Sequence, residues 1–228
     1  MTVTDSLQFP VATALAVDDI VIVAMTMEMA RKVVRVHRDA LPDSRTALMG
    51  EAYLVAFIDW FCRGHHGCIA LVALNIEGAV VGYVIGAPLG YSRALSRHLF
   101  WISAAAVIAR PWLFFRKEFR YGVLERFRLV LGGSAPHQPA PALPAPTMSL
   151  VAIGVAPAER GKKIGLRLLL TFEKRARELQ MQSLRLSTRP DNAVACQLYE
   201  RCGWRSFSAS DELKYYFRIF TEQSAGNS

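Results

Sequence analysis

The chain has 228 residues, of which 52% are hydrophobic and only 20% are charged, a composition that excludes disorder and indicates a large core. Its formal net charge of +8 suits an anionic partner, which leaves nucleic acid, an anionic membrane surface or an anionic ligand. No uncharged apolar run reaches the ~18 residues of a transmembrane helix, and no basic secretory leader is visible. Four cysteines are too few for a disulfide framework, so we expect reduced thiols in a cytoplasmic protein.

The first part of the chain is predicted to form a strand, two helices and a hairpin of two strands. Hydrophobic periodicity assigns these elements to residues 19–24, 27–39, 44–61, 69–74 and 80–85. Thr26 is placed to cap the first helix, and Leu41-Pro42-Asp43 separates the two helices. The hairpin strands are joined by Asn75-Ile-Glu-Gly78, a typical turn sequence.

One short stretch holds four residues that could bind a metal, namely Cys62, His65, His66 and Cys68. Zinc sites usually take two spaced pairs of ligands from separate turns, whereas these four residues share one tight loop. We therefore predict a helix-to-strand turn here and no bound metal.

Residues 88–148 form a long insertion before the next predicted strand. A helix is predicted over 92–109, with an apolar sector made of Leu95, Leu99, Ile102 and Ala106. A second helix is predicted over 112–131, and an uncharged tether with five prolines follows over 134–147. The insertion has eight Arg and Lys against two Glu, so it holds six of the chain's eight net positive charges.

The stretch from Ser149 to Trp204 carries the functional signal. An apolar run, Leu150 to Val155, is predicted to be a buried strand. It is followed by a small basic turn that feeds a helix, and this turn consists of Arg160, Gly161, Lys162, Lys163, Ile164 and Gly165. The first amides of a helix lack intrahelical partners and the helix dipole is positive there, so we expect an anion site for a phosphate-bearing ligand.

A second strand and helix follow this turn. The strand is predicted over 183–187, and Pro190-Asp191-Asn192 starts a helix that Gly203 ends. Tyr199 lies in the middle of that helix, and a closing strand is predicted over 214–220.

The order of these pieces resembles the GNAT superfamily of N-acetyltransferases. The coenzyme A turn of that family, Arg/Gln-x-x-Gly-x-Gly/Ala, is matched by residues 160–165, although Lys163 stands where the family usually has glycine. The family's second signature, Asn-x-x-Ala-x-x-x-Tyr-x-x-x-Gly-Phe, is matched by Asn192, Ala195, Tyr199, Gly203 and Trp204. The resemblance covers 19–87 and 149–220. It implies a mixed α/β fold with a central sheet flanked by helices, one acyltransferase domain over 19–220 and a helical insertion between the third and fourth strands.

The resemblance also implies roles for site residues. The turn would bind the pyrophosphate, and the opened pairing of the fourth strand would present a backbone amide to the thioester oxygen. The implied cofactor-binding residues are Ile153, Gly154, Val155, Arg160, Gly161, Lys162, Lys163, Ile164, Gly165 and Asn192. Tyr199 corresponds to the general acid. Without the resemblance, Tyr199 is core filler and Asn192 a helix cap, and the strand residues are ordinary core.

The general base is less clearly indicated. Many family members have a glutamate early on the fourth strand, about where Ser149 stands here. His37, at the end of the first helix, is the candidate base because its unperturbed pKa suits neutral pH. A solvated surface histidine and proton removal by water are the alternatives.

The implied function is transfer of an acyl group from acetyl-CoA, or another acyl-CoA, to a primary amine of a small molecule, directly in a ternary complex. The insertion beside the acceptor cleft suggests a bulky or amphipathic acceptor such as an amino sugar. The alternative is a non-catalytic acyl-CoA sensor. We expect no nucleic acid partner. For the insertion, a lid, a homodimer contact and a peripheral membrane contact through 92–131 stay open, and we expect 88–148 to be dispensable for folding.

Overall fold

The computed structural model describes residues 20–64, 67–110, 112, 142–208 and 213–220. Within these ranges the chain forms seven strands: β1 (Val21–Ala24), β2 (Ile69–Leu74), β3 (Val80–Pro88), β4 (Thr147–Val155), β5 (Ser183–Thr188), β6 (Arg205–Ser208) and β7 (Lys214–Ile219). The same ranges contain seven α-helices: α1 (Ala30–Ala40), α2 (Arg45–Leu48), α3 (Glu51–Cys62), α4 (Tyr91–His98), α5 (Phe100–Ile108), α6 (Ile164–Glu178) and α7 (Ala193–Arg201). None of these described helices is long and apolar enough to cross a membrane.

All seven strands belong to one mixed sheet in the order β1-β2-β3-β4-β5-β7-β6. Neighbouring strands are antiparallel except for β4 and β5, which are parallel. The parallel register joins only Thr147–Ser149 to Ser183–Arg185, so from Leu150 onward β4 pairs only with β3 in the described part of the chain. The sheet is therefore split along one side of β4. A bulge at Val151 adds a local bend to β4 at the start of the split.

Helices cover both faces of the sheet, and each face has its own core. On one face, α1 and α3 pack on β2 and β3, while on the other face α6 and α7 pack on the centre of the sheet. Successive residues of β3 alternate between the two cores because side chains of a strand alternate in direction. Tyr83 and Ile85 join the first core, and Val84 joins the second.

Several predicted elements lie where the sequence placed them. β2 occupies the predicted residues, Asn192 caps α7 by accepting a hydrogen bond from the Ala195 amide at 3.2 Å, and Gly203 follows α7 with a φ of +77°. The helix predicted over 44–61 is instead two helices, because Gly50 interrupts it with a φ of +94°. β6 escapes sequence prediction because its Arg-Ser-Phe-Ser sequence has only one large apolar residue.

The buried face of α6 is not formed by apolar residues alone. Leu170 is 48% exposed, whereas Leu169 beside it is fully buried. Glu173 is buried on the inner face, and its carboxylate accepts hydrogen bonds from Trp204 Nε1 at 2.7 Å and from Arg218 at 2.9 Å. A buried carboxylate is stable only when it is paired, and both partners come from outside the helix.

The described helices of the insertion pack against the body of the protein. Leu95, Leu99 and Ala106 are buried in the core that α3 forms, as the predicted apolar sector requires. The Tyr91 ring lies 6.4 Å from Trp60 and 6.1 Å from Phe61, centroid to centroid. This packing speaks against the expectation that 88–148 is dispensable for folding, and an unfolding measurement on α4 and α5 would test that expectation. The helix predicted over 112–131, apart from Trp112, and the first part of the tether lie outside the described residues.

Candidate active site

The predicted coenzyme A turn ends directly at the N-terminus of α6. Gly161 and Lys163 have positive φ values of +84° and +58°, so the chain reverses sharply before the helix. Lys163 is the N-cap residue and its side chain makes no capping hydrogen bond, which leaves the first amides of α6 available to an anion. The Arg160 guanidinium donates to the Ala40 carbonyl at 3.3 Å and ties the turn to the end of α1. Lys162 pairs with Glu159 at 2.8 Å.

The turn lies against β4 and α7. A Cβ built on Gly165 would lie 3.7 Å from Val155 Cγ2 and 3.7 Å from Leu198 Cδ2. The structure thus brings together three sets of predicted residues: the basic turn, the end of β4 and the helix that contains Tyr199. Ile153 and Val155 are half-buried against the second core.

The split in the sheet supplies the second part of the site. The edge of β4 that faces β5 has no strand partner beyond Ser149 among the described residues. An unpaired strand edge presents free backbone N–H and C=O groups that a ligand can use. Ser149 is buried at the point where the two strands part.

Tyr199 is buried in an aromatic cluster of the second core. Its ring centroid lies 5.9 Å from that of Trp204 and 5.4 Å from that of Tyr216. Burial raises the pKa of Tyr199, and the nearby Cys196 and Tyr216 add to this effect, so the phenol stays protonated at neutral pH. Among the described residues, none forms a hydrogen bond with the Tyr199 hydroxyl.

His37 lies inside the protein, not on its surface. The side chain is buried, and burial lowers the pKa of the imidazole to about 4, so it is neutral at pH 7. His37 Nδ1 lies 2.6 Å from the hydroxyl oxygen of Tyr83. His37 Nε2 lies 3.0 Å from Ser44 Oγ and 2.8 Å from Thr46 Oγ1. The solvated alternative is therefore wrong, because both ring nitrogens are engaged inside the chain.

Tyr83 is the residue that sequence analysis misses. It pairs with Gly154 across β3 and β4, and a Cβ on Gly154 would lie only 2.7 Å from Tyr83 Cε1. The Tyr83 ring therefore leans over Gly154, towards the split edge of β4. Burial raises the pKa of Tyr83, and the electrostatic influence of Tyr199 raises it further. Tyr83 belongs to the first core and Tyr199 to the second. The sequence signal was present, since Tyr83 is the one polar side chain in β3.

The loop between α3 and β2 has no described metal site. Among the described residues, no cluster of three or more His, Cys, Asp or Glu side chains could hold a metal ion, and His65 and His66 lie outside those residues. Burial raises the pKa of both Cys62 and Cys68 to about 11, so these thiols stay protonated at neutral pH.

A model of the acetyltransferase (GNAT) family matches residues 33–204 of the chain. No curated protein sequence matches this chain. Among solved structures, the Drosophila melanogaster polyamine N-acetyltransferase, which catalyses formation of N-acetylagmatine, is similar with a TM-score of 0.58. The two sequences are 16% identical, over 89% of this chain and 100% of that chain.

Two microbial structures are similar at the same level. The PaiA N-acetyltransferase from Thermoplasma acidophilum, solved with coenzyme A, has a TM-score of 0.53 and 13% identity, over 88% of this chain and 99% of that chain. The ribosomal-protein-alanine N-acetyltransferase from Brucella melitensis has a TM-score of 0.55 and 18% identity, over 88% of this chain and 99% of that chain. At these identities the likeness shows a shared fold.

Proposed function

Because the chain belongs to the acetyltransferase (GNAT) family, we propose that it transfers an acetyl group from acetyl-CoA to a primary amine of a small molecule. The observation that carries this proposal is the meeting of the basic turn, the end of β4 with its unpaired edge, and the helix that contains Tyr199. Coenzyme A in the Thermoplasma acidophilum structure supports the donor, and the Drosophila melanogaster enzyme, named for polyamines, supports an amine acceptor.

The residues present fit coenzyme A as a ligand. The uncapped amides before and within the first turn of α6 would bind the pyrophosphate, with the charges of Arg160, Lys162 and Lys163 nearby. The split edge of β4, from Ile153 to Val155, would bind the pantetheine arm with its free backbone groups. Asn192 keeps its capping role in α7 and would contact the ligand from the helix start.

We assign the acid role to Tyr199. The acetyl donor supplies a thioester whose thiolate leaves as the new amide bond forms. The Tyr199 hydroxyl, protonated at neutral pH and without a described partner, would give its proton to that sulfur. A backbone amide near Val155 on the unpaired edge of β4 would stabilise negative charge on the carbonyl oxygen.

The base route that we propose runs through Tyr83 to His37. The Tyr83 hydroxyl would take a proton from the attacking amine while its own proton passes to His37 Nδ1, 2.6 Å away. With Nδ1 as the acceptor, the Nε2–H of His37 would donate to the part-buried hydroxyls of Ser44 and Thr46. The nitrogen of an amine becomes far more acidic once it attacks a carbonyl, so an imidazole of low pKa can accept its proton.

A cavity beside α1 gives a candidate acceptor pocket. Its volume is about 460 Å³, and its lining includes Arg38, Leu48, Gly50, Glu51, Arg110 and Trp112. A carboxylate, two guanidinium groups and an indole suit a polar acceptor with an apolar ring face, such as an amino sugar. Arg110 brings the end of the described insertion to this cavity, where it donates to the Met49 carbonyl at 3.2 Å.

Two measurements test the proposed function. Coenzyme A should raise the melting temperature, because a ligand at one hundred times its Kd stabilises the folded state by about 2.7 kcal/mol. Acetyl transfer to agmatine, spermidine and glucosamine should then be followed by thiol release. No thermal shift at millimolar coenzyme A would overturn the whole proposal. A thermal shift without transfer to any amine would favour the acyl-CoA sensor.

Matched tyrosine variants test the mechanism. Tyr199→Phe and Tyr83→Phe should each lower kcat by roughly a hundredfold, since each removes a group that moves a proton, and should leave the Kd for coenzyme A nearly unchanged. Tyr53→Phe is the control, because Tyr53 is equally buried but lies in α3. A wild-type kcat in Tyr83→Phe would exclude the proposed base route, while a loss of coenzyme A affinity alone in Tyr199→Phe would make that tyrosine a binding residue.

A further inference from the structure

The outward side of α5 is apolar, which reverses the usual arrangement of a surface helix. Leu99 and Ala106 are buried on the inward side of this segment. On the outward side, Trp101 and Ile108 are each 80% exposed, and Ala105 between them is also exposed. The spacing of 101, 105 and 108 places these three residues on one stripe of the helix. The inner packing of the helix does not use this stripe, here named the α5 stripe.

Basic residues flank the α5 stripe along the chain. Arg93 and Arg97 are exposed one turn apart on α4, immediately before α5. Arg110 follows α5, and Trp112 beyond it is 59% exposed. By sequence, the insertion that contains all of these residues holds eight Arg and Lys against two Glu. The exposed apolar stripe is therefore preceded in the chain by two exposed arginines, Arg93 and Arg97, here named its basic border.

We propose that the α5 stripe and its basic border dock the protein on the surface of a bilayer that contains anionic lipids. Trp101 and Ile108 would enter the boundary between headgroups and acyl chains, while Arg93 and Arg97 would remain at the level of the lipid phosphates. This is an interfacial contact of one short helix, and it is independent of the proposed chemistry.

Charge and side-chain chemistry favour an anionic bilayer over a second copy of the chain and over nucleic acid. A second copy of the chain docked through the same stripe would bring two strongly basic segments together, and like charges oppose that contact. Nucleic acid would match the charge, but Ile108 and Ala105 provide no flat ring on which a base could stack, and they would be buried against phosphates or sugars. An anionic bilayer satisfies both the apolar stripe and its border.

Vesicle sedimentation tests the proposal on the full-length protein. Wild-type protein should bind vesicles made of equal phosphatidylcholine and phosphatidylglycerol, and binding to pure phosphatidylcholine should be at least about tenfold weaker. Binding should also weaken with added salt because the Debye length shortens. The double variant Trp101→Ala/Ile108→Ala should bind the mixed vesicles on the order of tenfold or more weakly. Arg93→Gln/Arg97→Gln should lose most of the preference for anionic vesicles.

Val194→Ser provides the matched control, because Val194 is 81% exposed but lies on α7. This control should bind vesicles as the wild type does, and all variants should keep the wild-type melting temperature and the thermal shift with coenzyme A. Absence of wild-type binding, equal binding to both vesicle types or equal loss in Val194→Ser would overturn the proposal. A dimer in solution that Trp101→Ala/Ile108→Ala abolishes would instead make the stripe a subunit interface, and this too would overturn it.

Discussion

Lys163 holds a backbone conformation that suits glycine. Its φ of +58° lies in the left-handed region, where a residue with a Cβ is less stable by about 1–2 kcal/mol. The conformation is nevertheless required, because it turns the chain into the N-terminus of α6 with the first amides exposed. The lysine therefore keeps the geometry of the turn at some cost in stability and adds one positive charge beside the expected pyrophosphate.

Replacement of Lys163 separates these two effects. Lys163→Gly removes the strain and the charge, whereas Lys163→Ala removes only the charge. Glycine also makes the unfolded chain more flexible, which lowers the stability of the folded state by roughly 0.5–1 kcal/mol. We therefore expect the free energy of unfolding of Lys163→Gly to exceed that of Lys163→Ala by up to about 1.5 kcal/mol. Denaturant unfolding measures this difference, and both variants should bind coenzyme A more weakly than wild type. A Lys163→Ala variant more stable than Lys163→Gly would show that the turn is not strained.

The sequence indicates some residues of the candidate site more readily than others. The turn and Tyr199 belong to local patterns of fixed spacing, so their positions could be read from the chain. Tyr83 could not be found in this way, because its importance depends on pairing with Gly154, a residue far away in sequence. His37 could be placed on a helix, but the burial that lowers its pKa to about 4 depends on tertiary packing.

Among the elements, α4 and α5 show how local patterning and tertiary role can differ. Their apolar sector is visible in the sequence, and Leu99 is 2% exposed in the core that α3 forms. Periodicity could not say which surface this sector covers. Local patterning also fails to indicate β6. This strand lies at the edge of the sheet beside β7, where few of its side chains need to be apolar.

Truncation of one side chain tests whether these helices support the fold. Leu99→Ala should lower the free energy of unfolding by about 2–5 kcal/mol, as expected for a large side chain removed from a packed core. Leu170→Ala, at a position that is 48% exposed, should change it by less than about 0.5 kcal/mol. Chemical denaturation compares the two variants directly. Equal, small effects would mean that the insertion helices rest on the surface without contributing to the core.

At the scale of the whole molecule, the two cores lie on opposite faces of one sheet, and each core contains a tyrosine of the candidate site. Tyr83 belongs to the core of α1 and α3, and Tyr199 belongs to the core of α6 and α7. The order of elements along the chain indicates the sheet, but the split itself depends on how far β4 and β5 stay paired. Because His37, Tyr83 and Tyr199 are also buried in these cores, the global stability of the protein is linked to groups of the candidate site.

This link predicts how stability depends on pH. Burial lowers the pKa of His37 from 6.5 to about 4, so between these values the unfolded chain binds a proton at His37 that the folded chain does not. Stability from this group is fully present above pH 6.5 and is lost as pH falls towards 4. A pKa shift of this size corresponds to a change in the free energy of unfolding on the order of 3 kcal/mol.

The variant His37→Gln, which cannot titrate, should lack this pH dependence, whereas His98→Gln, at an exposed position on α4, should retain it. Denaturant unfolding at intervals from pH 7 to about pH 4 measures each slope, and the comparison uses slopes because His37→Gln also changes buried hydrogen bonds. An equal slope in wild type and His37→Gln would show that other groups set the acid limit of the fold.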